Sequence, residues 1–123
     1  MNQRGLPRDW KKRLVSALVE PEVERILLFG SRARGDAGAY SDLDLLIVRR
    51  TGERFLARIG TAYQRLADAA VRLGVDVDVL VYTPEEYERM LDEENPLVTR
   101  AHHEGKVLYE RPVGRSRTLV SPG

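Results

Sequence analysis

Two carboxylates spaced i, i+2 stand at the head of an apolar run: Ser41-Asp42-Leu43-Asp44 leads into Leu45 to Val48. In a strand, side chains alternate faces, so Asp42 and Asp44 point to one side while Leu43 and Leu45 point to the other. Like charges in one small space raise each other's pKa unless something positive lies between them, and a divalent cation that prefers oxygen is the usual solution. Upstream, Ile26 to Phe29 is a second apolar run that ends on Gly30-Ser31. That pair offers backbone N–H groups, a hydroxyl and no Cβ at the tightest point, which suits a phosphate. Metal-holding carboxylates beside a phosphate cradle are the parts needed for an in-line displacement at phosphorus. Asp-x-Asp or Gly-Ser alone is unspecific. Their order, their short spacing and a further acid on a later strand carry the inference together.

Gly30-Ser31-Arg32-Ala33-Arg34-Gly35 followed by Ser41-Asp42-Leu43-Asp44-Leu45 resembles the signature of the minimal nucleotidyltransferases of the DNA polymerase β superfamily. The similarity runs from about Val23 to Tyr109. It implies a small α/β, palm-like domain over residues 1–110; beyond it, two prolines, two glycines and little to bury make 111–123 a frayed tail. It also implies binding of a nucleoside triphosphate with magnesium and transfer of a nucleotidyl group.

A chain of 123 residues fits one domain with a single core, and is short for an enzyme that must hold two substrates. The net charge of +1 gives no global argument for nucleic-acid binding. All but Lys11, Lys12 and Lys106 of the 20 basic residues are arginine, which suits phosphate recognition and equally a composition bias. The absence of cysteine excludes disulfides, thiolate catalysis and zinc–thiolate sites. No apolar run approaches the length of a membrane span and no apolar signal core follows the basic N-terminus, so a cytoplasmic protein is expected.

The elements that must position the acids follow from periodicity. A basic amphipathic helix is expected over Pro7 to Val19, with Trp10 as a core anchor, then a strand from Val23 to Phe29. Leu43 to Val48 reads as a central strand buried on both faces. Phe55, Ile59, Ala62, Tyr63, Leu66, Ala69, Ala70 and Leu73 trace the face of a long helix ending at Gly74, with Phe55 and Tyr63 expected in the core. Val75 to Tyr82 alternates as a strand; Thr83-Pro84-Glu85-Glu86 and Asn95-Pro96 each start a helix; Lys106 to Tyr109 closes the sheet at an edge. The adjacent His102 and His103 are expected at the surface. The fold class is thus α/β, a mixed sheet of about four strands with flanking helices.

In the family's terms, Asp42, Asp44 and a third acid hold one or two Mg²⁺ ions, and Gly30 and Ser31 bind the terminal phosphates of ATP or another triphosphate. Arg32 and Arg34 add positive charge, or either faces solvent or pairs with Asp36. The third acid is expected to be Asp78 rather than Asp76: Asp78 lies deeper in its strand, where a metal would offset the cost of burying a charge. The resemblance further implies a HEPN-type helical protein as partner and hydroxyl acceptor in a toxin–antitoxin pair, and leaves open self-association. Two alternatives stay open: a binding module that neutralises its partner without catalysis, and nucleotidyl transfer to a small molecule. A transferase acting on nucleic-acid ends through the basic N-terminal helix is disfavoured by the weak net charge and the few exposed aromatic candidates.

Overall fold

The structure is a computed structural model that describes residues 3–112; the tail expected over 111–123 lies, from 113 onward, outside the described residues. Four strands form one mixed sheet in the order β3-β2-β1-β4. β1 (Val23–Phe29) and β2 (Leu43–Arg49) are antiparallel neighbours at its centre, in a register that sets Leu27 against Leu46 and Phe29 against Asp44. β3 (Val77–Tyr82) runs parallel to β2 after a helical crossover, and β4 (Lys106–Glu110) is antiparallel to β1 at the other edge. The near-continuous apolar runs of β1 and β2 require cover on both faces, and helices supply it.

On one face lie α1 (Trp10–Leu18) and α3 (Phe55–Leu73), whose Trp10, Leu14, Leu18, Leu66 and Leu73 join Ile26, Leu28, Leu45, Ile47 and the valines of β3 in the larger core. On the other, α4 (Pro84–Asp92) and α5 (Pro96–Glu104) set Tyr87, Val98 and Ala101 against Leu27, Leu46 and Val48. Both helix starts are capped as their sequences predict. Glu86 N–H donates to Thr83 Oγ1 at 3.2 Å while Thr83 N–H donates to Glu86 Oε1 at 2.9 Å, and Val98 N–H donates to Asn95 Oδ1 at 3.1 Å. Such caps contribute about 1 kcal/mol each. None of the helices in the described residues is long and apolar enough to cross a membrane.

The structure departs from the expectations in four places, the first being that β3 starts at Val77 instead of Val75. α1 starts at Trp10, because Pro7 to Asp9 form a turn instead of a first helical turn. Phe55 and Tyr63 are only partly covered, at 39% and 40% exposure. Phe55 stacks on Tyr82 with ring centroids 5.7 Å apart, and the Tyr63 hydroxyl accepts from Val79 N–H at 3.3 Å along the outer edge of β3, so each keeps a wet side. The connection after Gly30 contains a four-residue helix, α2 (Ser31–Arg34), that periodicity could not reveal.

Candidate active site

Asp44 is the second residue of β2 and sits opposite Phe29, the last residue of β1, and beside Asp78 in the parallel β2–β3 ladder. Asp42 lies just ahead of β2 with the same parity as Asp44. The pleat therefore directs Asp42, Asp44 and Asp78 to one face at one end of the sheet. Partial burial pushes the Asp44 carboxyl above the usual aspartate range, the charges of Asp78 and then Asp42 push it further, and Arg34 pulls it back. Asp76 instead contributes its backbone: its carbonyl accepts from Leu43 N–H at 2.9 Å where the ladder begins.

One expectation about this group is corrected. Asp78 is exposed, not deep, because β3 is an edge strand and only its valine face packs inward. The burial cost falls on Asp44, which lies on an inner strand with a neighbour on each side.

Gly30 turns the chain from β1 into α2 with φ 75° and ψ −157°, a conformation open to glycine alone. A Cβ there would collide with the Asp44 carboxylate, so the missing side chain is what lets the turn pass directly over the acid. The Gly30 carbonyl accepts from Ala33 and Arg34 N–H at 3.1 Å, and Ser31, partly buried, opens the helix. Gly35 closes it with φ 87°. Arg34 is exposed and meets Asp36 at 3.4 Å, yet its charge still reaches Asp44.

Arg32 is the residue whose part the sequence concealed. It is 2% exposed, so it does not face solvent. Its guanidinium donates to the carbonyls of Arg4 (2.9 Å), Ser41 (2.9 Å) and Ala39 (3.1 Å), and at 3.5 Å to Gln3 Oε1. Burial draws its pKa below the usual arginine range, against the opposing pull of Asp42. It positions the loop that delivers Asp42.

Among the described residues no group of three or more His, Cys, Asp or Glu side chains is gathered at metal-ligand spacing. The donor chemistry nevertheless fits a hard divalent cation: carboxylate oxygens from Asp42, Asp44 and Asp78, mutually repelling, with the Asp44 carboxylate packed against the bare α-carbon of Gly30.

A family model described as polymerase beta, nucleotidyltransferase, matches residues 12–112. The protein MJ1305 of Methanocaldococcus jannaschii, provisionally named a protein adenylyltransferase, is 31% identical over 87 residues; these are 70% of this chain and 58% of that relative, less than two thirds of its length. A toxin–antitoxin structure solved with AMP-PNP is similar at a TM-score of 0.59 and 20% identity, covering 91% of this chain and 81% of that one. The toxin–antitoxin MntA–HepT follows at 0.54 and 18%, covering 94% and 81%. At these identities the structural likeness speaks to the fold.

Proposed function

The chain belongs to the polymerase β family of nucleotidyltransferases, and on that premise we propose that it moves the AMP of ATP to a hydroxyl on a HEPN-type helical protein, as the antitoxin of a toxin–antitoxin pair. A relative named for protein adenylylation supports the nucleotide and the class of acceptor, and fold neighbours that are toxin–antitoxin structures, one with AMP-PNP, support the partner. The observation that carries the chemistry is the pairing of Asp44 with Asp78 across β2 and β3, directly beneath a glycine turn that tolerates no Cβ.

In this reaction the acceptor oxygen forms a bond to the α-phosphorus, the α–β bridging P–O bond breaks and pyrophosphate leaves. The hydroxyl proton passes to an ionised carboxylate, for which Asp78 is the accessible candidate. Gly30 and Ser31 bind the terminal phosphates through backbone N–H groups and the Ser31 hydroxyl, and Arg34 adds positive charge. Magnesium held by Asp42, Asp44 and Asp78 would supply neutralisation of the phosphate charge when bound.

The test is coexpression with a HEPN-type helical protein, followed by incubation with ATP labelled at the α-phosphate. Label should enter the partner, and Asp42→Asn or Asp44→Asn should abolish it. A partner that is inhibited stoichiometrically yet never labelled would replace catalysis with a neutralising binding role. Label entering a small molecule instead would move the acceptor outside proteins.

A further inference from the structure

Arg4, Arg8, Lys11 and Lys12 are exposed, and among the described residues no carboxylate pairs with any of them. Asp9, the acid in their midst, is taken by Arg13 at 3.0 Å. These cations are badly placed for folding. α1 begins with no acid in its first turn and no side-chain cap, and Lys11 and Lys12 occupy that turn, where the helix dipole disfavours positive charge. A local rule broken without structural compensation points to function.

The Arg32 clamp fixes where these cations stand. By holding the carbonyls of Arg4, Ala39 and Ser41 it ties the N-terminal segment to the loop just ahead of Asp42. Gly5, at φ +81°, lets the Ala39 backbone pass where a Cβ would lie. The same loop carries Tyr40, 90% exposed although both its neighbours are pinned. The other end of α1 lies at the opposite end of the sheet, where Leu18 lines a hollow with Val23 and Arg49. The unpaired cations and the bare ring therefore share the end of the molecule that holds the acids.

We propose that Arg4, Arg8, Lys11, Lys12 and Tyr40 form a rim that docks the acceptor through an acidic segment beside its accepting hydroxyl; this rests on transfer to a protein, as proposed above. A polynucleotide is the other polyanion to consider. A nucleic-acid track interleaves cations with several stacking rings, whereas here one ring stands beside the cations in a chain of net charge +1, which favours the acidic peptide.

The experiment measures binding of a fluorescein-labelled Glu-rich peptide containing one Tyr, and of labelled oligouridylate, to the full chain. Arg8→Glu/Lys12→Glu is compared with Arg54→Glu/Arg89→Glu, an equal charge change at exposed sites on α3's start and α4. The rim pair should weaken the peptide by about tenfold or more, Tyr40→Ala by about threefold, and the control pair by less than about twofold. If the rim pair does not fold, Arg8→Ser/Lys12→Ser is read in the same way. Equal losses in rim and control pairs, or oligouridylate bound more tightly than the peptide, would overturn the proposal. The rise in Tm with MgATP is recorded on the same samples. Its absence from the wild type counts against nucleotidyl transfer, whereas its presence without peptide binding counts against the rim alone.

Discussion

Where β1 begins and β2 and β3 end, Glu20 accepts from Arg49 at 2.6 Å and from Arg65 at 2.8 Å. Beside them buried Arg58 grips Glu86 at 2.6 and 3.2 Å and donates to the Glu53 carbonyl at 2.8 Å. Where β1 ends and β2 and β3 begin, partial burial and the charges of Asp78 and Asp42 raise the proton affinity of Asp44, beneath a glycine held at positive φ. One end of the sheet pairs its charges in good geometry; the other keeps like charges together. Paired charge serves the fold itself, and retained repulsion supports the ligand site proposed above.

The largest expected effect lies at the repelling end. Asp44→Asn and Asp78→Asn should each lower nucleotidyl transfer by about a thousandfold or more, while Asp76→Asn changes it by less than about threefold. Steady-state labelling of the partner measures this, and a severe loss in Asp76→Asn would place the third carboxylate one pleat earlier. At the paired end, Arg58→Ala should cost about 3 kcal/mol in urea unfolding, since it strands Glu86 and two carbonyls, with transfer per folded molecule unchanged. If transfer fell with stability, the two ends would not be separable.

A pH series in metal-free buffer should make the ends respond with opposite sign. Asp44 has its folded pKa raised, so the folded state binds the extra proton and stability falls as pH climbs from the ordinary value of 3.8 through the raised one. Asp44→Asn should gain on the wild type across that window. Glu86 has its folded pKa lowered, chiefly by the Arg58 hydrogen bond, so its stabilisation is present above 4.5 and lost as pH falls through the folded value. Glu86→Gln should therefore lose on the wild type as pH rises to 4.5. Tm differences that move in the same direction for both variants would contradict the contrast. The smallest effect belongs to Arg65→Ala: Arg65 is itself exposed and Glu20 keeps its Arg49 partner, so the loss should be about 0.5 kcal/mol or less by thermal unfolding.

Much of this architecture was legible because its signals are local. The apolar runs of β1 and β2, the valine alternation in β3, Gly74 after α3 and the Thr83-Pro84-Glu86 box each specify an element without long-range information. Spacing also put Asp42 and Asp44 on one face, whereas the place of Asp78 beside them depends on the parallel β2–β3 register, which alternation within one strand does not give. What stayed hidden depends on partners distant in sequence. Arg32 reads as one more loop arginine until Gln3 and Arg4 are folded against it. Asp78 was expected to be deep from its flanking valines, but depth in a strand is set by its neighbours in the sheet, and β3 has one. Its alternating valines, marking one dry face and one wet face, were the available signal. Phe55 and Tyr63 keep helical spacing yet lie at the margin of the core, where an aromatic ring can cover one side and leave the other in water.

The most direct test is thermal unfolding of the Asp42→Asn/Asp44→Asn protein with and without MgATP. With two repelling charges removed, the apo protein should melt at or above the wild-type temperature, and the rise that MgATP gives the wild type should be absent. A lower apo Tm, or a nucleotide-induced rise that survives the double substitution, would mean that these acids serve the fold and that the ligand site lies elsewhere.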